Sequence, residues 1–149
     1  MTIYLAADHA GFELKEKIKF WLQKQGHEIK DFGAFSFDPA DDYPDFMNPA
    51  AKELAVVLAK NPENNRGIFF GGSGQGEAMV ANRHKGVRAA VLYKYDEDII
   101  KLSREHNNAN VLCLGARFLK EKEVIRAVEL WIKTSFSNEP RHKRRIAKF

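Results

Sequence analysis

The chain has 149 residues, 44% of them hydrophobic, and a formal net charge of +4. That length suits one domain burying about two-thirds of its unfolded surface, and that apolar content excludes a largely disordered chain. No apolar run approaches the roughly 20 residues of a membrane helix, and a broad nucleic-acid face is excluded because the last nine residues hold five basic side chains and no acid, leaving the other 140 at −1.

In chain order, MTIYLAADHAG has neither the basic start nor the long apolar stretch of a secretory signal, and Ile3–Ala7 within it reads as a strand. Phe12–Gln25 places Leu14, Ile18, Trp21 and Leu22 on one helical face. His27–Phe32 alternates like a second strand, and residues 33–44 carry the glycine, proline and aspartate of a loop. A helix to about Lys60 is expected to start with Asn48 as N-cap and Pro49 in its first turn. NPENNR reads as a turn and GIFF as a short buried strand, followed by a glycine loop and a helix over Glu77–Arg83. Val87–Tyr93 is the fourth strand, Asp96–His106 a helix and Asn110–Leu114 the fifth strand. Cys113 lies in that last run, permits no internal disulfide and reads as a small buried hydrophobe. Lys120–Phe136, with Val124, Val128, Trp131 and Ile132 on one stripe, is the last long helix.

Five successive β-then-α units predict an α/β fold: a three-layer α/β/α Rossmann-like sandwich with a five-stranded parallel sheet. Residues 1–149 read as one domain ending in a basic segment, 137–149. Ligands in such sheets bind beyond the carboxyl ends of the strands, which singles out AADHAG, GGSGQGE and LGAR. In the second of these, four glycines fall between positions 71 and 76, with Glu77 directly after them. Gly72-Ser-Gly74-Gln-Gly76 has neither dinucleotide-loop spacing nor a following Gly-Lys-Ser/Thr. A tight strand-to-helix turn with a favourable first-turn acid is one reading.

The other starts from the acid, which would repel a phosphate resting in the loop. Loop and acid agree if the backbone amides receive an oxygen that becomes negative only during reaction while Glu77 removes a proton. That is proton abstraction next to a carbonyl, by a carboxylate base with an oxyanion hole to which Ser73 could add a donor. Asp8 and His9 follow strand one and could face the same crevice, although Asp8 could simply cap the helix near Gly11. His106 and Asn107 end the fourth helix, where an imidazolium also suits the dipole. Arg117 follows strand five. Arg141 and Arg145, four apart, would share a face and clamp a phosphate if the tail is helical, and otherwise read as a solvated basic end.

DHAGFELK at 8–15, DYPD at 42–45, GGSGQGEAMVANR at 71–83, SREHNNANVLCLGAR at 103–117 and RHKRR at 141–145 together resemble, in order and over nearly the whole chain, the sugar-phosphate isomerase family of the B-type ribose-5-phosphate isomerases and the galactose-6-phosphate isomerase subunits. The resemblance implies a cytoplasmic enzyme of the pentose phosphate pathway that interconverts ribose 5-phosphate and ribulose 5-phosphate through a cis-enediolate, without metal or organic cofactor. It implies the branch whose base is the glutamate after the glycine loop, here Glu77, and not the branch with a cysteine at the position of Gly71. By the same resemblance Gly72, Ser73, Gly74, Gln75 and Gly76 hold the enediolate, and Asp8, His9, Tyr43 and Asn107 contact the sugar. His106 serves ring opening, and Arg117, Arg141 and Arg145 hold phosphate. Family members are homodimers or dimers of dimers with shared sites, so some groups are expected from a neighbouring chain.

Two departures stand out: Asn138-Glu139-Pro140 where many relatives have a short glycine turn, and Gln75 in the loop. The other readings left open are a six-carbon substrate such as allose or galactose 6-phosphate, a nucleotide- or flavin-binding module, and a nucleic-acid contact through the tail. The helix N-terminus is expected to depress the acidity constant of Glu77, with desolvation by bound substrate offsetting this.

Overall fold

The strands alternate so that consecutive residues bury against opposite faces of one sheet. The computed structural model describes residues 1–149. Its elements are β1 (Thr2–Ala7), α1 (Phe12–Lys24), β2 (Glu28–Asp31), α2 (Tyr43–Leu58), β3 (Asn65–Gly71), α3 (Gln75–Ala81), β4 (Ala89–Leu92), α4 (Glu97–Glu105), β5 (Val111–Gly115), α5 (Glu121–Lys133) and α6 (Pro140–Ile146). All strand pairs are parallel, in the order β2-β1-β3-β5-β4.

On one face Ile3, Leu5, Ile68, Phe70, Leu112 and Leu114 pack with Ile18 and Leu22 of α1, Ile100 of α4 and Val124, Val128 and Trp131 of α5. On the other, Tyr4, Ala6, Phe69, Val111 and Cys113 meet Met47, Ala51 and Leu54 of α2 and Ala78 and Ala81 of α3. The three expected layers are therefore present. After β1 the chain adds β2 on one side, then returns to place β3 on the other, so strand order reverses between β1 and β3. A crevice opens beyond the carboxyl ends of strands at such a point.

Several ends shift by a few residues from the sequence reading, β3 starting at Asn65 inside the expected turn and α3 at Gln75, and two differences are larger. Helix α2 begins at Tyr43, with Asp42 as N-cap and Pro44 in the first turn, and Pro49 lies inside it. Buried Met47, Ala50, Ala51, Leu54 and Leu58 show why: the helical period runs back past Asn48, and packing holds the extra turn although Pro49 lacks an N–H. Helix α6 makes the tail helical. Pro140 stands in its first turn, Asn138 before it has φ 60°, and the departure at 138–140 is the helix start.

Candidate active site

At the reversal point, Asp8 and His9 continue β1 while Gly71–Gly76 continue β3. Asp8, His9, Gly72, Ser73, Gly76 and Glu77, with Tyr43 from the start of α2 and Arg117 and Phe118 after β5, line a cavity of about 310 Å³. Gly74 has φ 79°, a left-handed turn that a side chain would strain, and it swings the chain from β3 into α3. One turn into that helix, Glu77 is folded back into the crevice and only 3% exposed. A Cβ at Gly71 would fall within the Glu77 carboxyl group, 2.6 Å from Oε2 and closer to Oε1 and Cδ. Glycine at 71 is thus what makes room for the acid. The Tyr43 ring closes the other side, lying where a Cβ on Gly76 would be 2.7 Å from Cζ. Arg117 is exposed and sets its guanidinium over Gly72, 3.3 Å from a Cβ position there. Ser73 is half-buried with Oγ 3.4 Å from the Gln75 N–H, whereas Gln75 itself is exposed and does not line the cavity.

Burial pushes the Glu77 carboxyl above its ordinary 4.5, and the Asp8 charge adds to this, while the N–H groups of Glu77 and Gly74 pull the other way. The expected depression by the helix N-terminus is therefore overturned. Desolvation by the protein outweighs the amides before any substrate arrives, and the carboxylate is a stronger base than an exposed one. The first amides of α3 have no intrahelical acceptor, so donors stand beside that base. Asp8 does both things considered for it: it lines the cavity and its Oδ1 accepts the Gly11 N–H at 3.0 Å. Cys113 is fully buried in β5, and burial, then the Glu77 charge, pushes its thiol well above 9.0. It faces the core, so it is no nucleophile here.

Four of the expected residues are elsewhere. Helix α4 runs against the strands, so its C-cap His106, and Asn107 after it, lie at the amino end of β5. Five strand residues separate that end from the crevice, about 17 Å at the usual rise. Helix α5 descends the same way, and α6 packs beneath, with the His142 ring stacked on His106 at 4.1 Å between centroids and 15° between planes. His142 is 2% exposed; burial lowers its pKa, and the charges of His106, Arg141 and Arg145 act in the same sense. Arg141 and Arg145 are exposed one turn apart, Arg141 Nε forming an ion pair with Glu139 Oε2 at 2.8 Å. A larger cavity of about 660 Å³ at this end is lined by Asn107, His84, Lys85, Arg88, Ile146 and Phe149 among others, with no carboxylate to take a proton.

Within one chain, then, Glu77, the loop amides and Arg117 lie at one end of the sheet and Arg141 and Arg145 at the other. Residues 3–149 match the Ribose/Galactose Isomerase family. The chain belongs to that family. A ribose-5-phosphate isomerase B of Mycolicibacterium paratuberculosis is 42% identical over 146 residues, which span 98% of this chain and 87% of the relative. Among solved structures, ribose-5-phosphate isomerase B of Mycoplasma genitalium with bound ribulose 5-phosphate is 41% identical, with a TM-score of 0.86 over 99% of this chain and 92% of that one. The Thermotoga maritima ribose 5-phosphate isomerase is 37% identical, with a TM-score of 0.86 over 99% and 95%. The recognition and the fold read from the sequence both hold. No helix of this family member is long and apolar enough to cross a membrane.

Sequence reasoning missed two side chains. Asp41 bonds His9 from the loop before α2, and its only signal was an acid pair inside a turn-rich stretch. His142 lay hidden among charges in RHKRR and was counted with the tail, not as a packing partner of His106.

Proposed function

We propose that this family member interconverts ribose 5-phosphate and ribulose 5-phosphate. The single observation that carries the reading is the buried Glu77 carboxyl held beside the loop amides in a cavity of about 310 Å³. Glu77 takes the proton from C2 of the open-chain aldose. The electron pair forms the C1–C2 double bond of a cis-enediol(ate), and the carbonyl oxygen at C1 gains negative charge. The same carboxyl returns the proton to C1 while the hydroxyl proton passes from O2 to O1, so that C2 becomes the carbonyl and C1 the hydroxyl carbon of the ketose. Because protons and a double bond only change place, the reaction calls on no redox cofactor. Positioned proton transfer supplies about 10²–10⁴-fold, and one oxyanion donor about 2.7–4 kcal/mol. Amides 72–76 with Ser73 Oγ therefore contribute as much as the base. In the related branch with cysteine at the position of Gly71, the thiol would occupy the volume this chain gives to the Glu77 carboxyl, so the two bases compete for one place.

Asp8, His9 and Tyr43 contact the sugar and Arg117 the phosphate from the same chain. His106, which opens the furanose ring, Asn107, Arg141 and Arg145 reach the crevice from a second copy in a homodimer or a dimer of dimers. Support comes from charge: the crevice pairs two acids with few cations, while the cavity at the amino end of the sheet is lined by Lys85 and Arg88 with no Asp or Glu. We read residues 1–149 as one such domain working in the cytoplasm. A coupled isomerisation assay comparing ribose 5-phosphate with allose 6-phosphate and galactose 6-phosphate tests the reading. Turnover is expected to be fastest with the pentose, and a protein that turns over only a six-carbon sugar phosphate, or none, overturns it.

A further inference from the structure

His9 makes two hydrogen bonds to one atom. Its backbone N–H donates to Asp41 Oδ1 at 3.0 Å, and its ring Nδ1 lies 2.7 Å from the same oxygen. A carboxylate oxygen can only accept, so Nδ1 carries the hydrogen and Nε2 is the ring nitrogen left to a ligand in the cavity that His9 lines. The edge of the Phe37 ring packs against the imidazole at 6.2 Å between centroids and 86° between planes, which restricts its rotation further.

Asp41 itself is held for this task. It closes a tight turn in which its N–H donates to the Asp38 carbonyl at 3.1 Å and the Ala40 N–H donates to Asp38 Oδ1 at 3.0 Å. Its side chain is 9% exposed, and Oδ2 is buried with no hydrogen-bond partner. Leaving half a carboxylate unsatisfied is unfavourable, and a loop that needed only closing would be served by a neutral residue. Asp8, His9 and Asp41 offer ligand atoms within 4.8 Å of one another, the spacing of a cation site. Here Asp8 Oδ1 accepts from Gly11, while Asp41 Oδ1 and His9 Nδ1 bond each other, so the contacts present are hydrogen bonds within the protein.

We propose that Asp41 is a positioning residue for the isomerisation: by bonding both the backbone and the ring of His9 it fixes the Nδ1–H tautomer and presents His9 Nε2 to the sugar phosphate. The proposal deepens the isomerase reading and rests on it for the activity measurements alone. With the ring neutral, Nε2 accepts a hydrogen bond from a substrate hydroxyl. A ring of the other tautomer would offer an N–H at that place and leave Nδ1 facing Asp41 with no hydrogen to give.

The test joins a spectroscopic and a kinetic measurement on the full chain. In protein labelled with ¹⁵N-histidine, two-bond ¹⁵N–¹H correlation spectra separate the tautomers, and the His9 signals are assigned by their loss in His9→Gln. The expected result is an Nδ1–H ring in the parent and a shift toward Nε2–H in Asp41→Leu and Asp41→Ala, neither of which has an acceptor. Both substitutions are expected to lower kcat/KM for ribose 5-phosphate by about 10- to 100-fold, as loss of orientation does. Asp41→Ala should add nothing in a His9→Gln background. Asp41→Leu, which keeps the side chain's shape without an acceptor, carries the comparison if the alanine variant does not fold. An Nε2–H ring in the parent, an unchanged tautomer in the variants, or penalties at positions 9 and 41 that multiply would each overturn the proposal. Absence of isomerase activity in the parent would instead sink the functional reading, while the tautomer of the free protein would still decide the role of Asp41.

Discussion

At the carboxyl ends of β1 and β3 the functional groups are buried and tied down. Asp8 and Glu77 are 7% and 3% exposed, Asp8 bonded to Gly11 and His9 to Asp41. At the amino ends of β4 and β5 the corresponding groups are loose: Asn107, Arg141 and Arg145 are exposed, and only His106 is packed, against His142. The difference fits the roles proposed for the two halves. A base aimed at one C–H bond loses most of its value when displaced by an ångström, so it needs a rigid turn and a dry wall. Groups that hold a phosphate act as charges over several ångströms and tolerate delivery by another surface. Burial in the first half is also what raises the acidity constant of Glu77, so rigidity and base strength have one origin.

The largest effect expected from breaking this contrast is at the base. Glu77→Gln should lower kcat by about 10²–10⁴-fold while leaving the affinity for ribose 5-phosphate within a few-fold. Turnover at a near-parental rate would remove Glu77 from its role. In the parent, kcat/KM should rise with pH through a group titrating above 4.5, since the carboxyl must lose its proton to act and its folded value is raised. That limb should vanish in Glu77→Gln.

The scaffold beneath the crevice comes next. Lys15 is fully buried on α1; its Nζ donates to Asp31 Oδ1 at 2.8 Å and to the Ala34 carbonyl at 2.7 Å, which anchors the loop leading to Asp41. Lys15→Met leaves Asp31 with Lys19, whose Nζ lies at the same 2.8 Å, and takes the side-chain donor from the Ala34 carbonyl. Losing hydrogen bonds from a buried charged group in this way costs about 1.5–3 kcal/mol, to be read from denaturant unfolding, and a loss below about 1 kcal/mol would show that Lys15 does not hold the loop.

Fold and site were not equally legible. β1, β3 and β5 stood out because parallel strands covered on both faces are continuous apolar runs, and α5 because its stripe keeps one period. The start of α2 was misplaced because two Asp/Asn–Pro signals, at 42–44 and 48–49, compete locally, and only burial of Met47 chooses between them. Asp8, Glu77 and the glycine loop were readable because strand ends name the crevice. Asp41 was not, since its meaning is a contact 32 positions away. Nor could the sequence say that Glu77 is buried: the first-turn position announces the amides, while the desolvation that outweighs them belongs to the packed fold.

A smaller effect should come from the loose half. Arg141→Ala with Arg145→Ala is expected to raise KM for ribose 5-phosphate by about 10–100-fold with little change in kcat, as the loss of charge-assisted bonds to a phosphate would. Mixing this variant with Glu77→Gln after dissociation and reassembly sharpens the comparison. If each crevice is completed by the other chain, half of the dimers are mixed, each with one intact site, and about a quarter of the parental rate returns at ribose 5-phosphate well below the parental KM, where the arginine variant alone is nearly silent. No recovery, with mixed dimers verified by mass, would mean that the two halves do not meet.

The smallest effect runs against intuition, because it is a gain. Asp31 and Glu77 are linked to stability with opposite signs. Burial pushes the Asp31 carboxyl up, but Lys15, Lys19 and the Gly33 N–H together hold it below 3.8, so its contribution is present above that value and lost as pH falls through the lower folded one. Glu77 is raised, so the folded chain binds its proton more tightly than the unfolded chain does. Its contribution is full below 4.5 and lost as pH rises through the raised folded value. At neutral pH the parent therefore keeps a buried charge that the fold disfavours, and Glu77→Gln removes it. That variant should melt a few degrees above the parent at pH 7, with the gap narrowing as pH falls below 4.5. Equal destabilisation at both pH values would mean that the amides of Gly74 and Glu77 hold the carboxylate more strongly than burial opposes it, and that the base strength has another source.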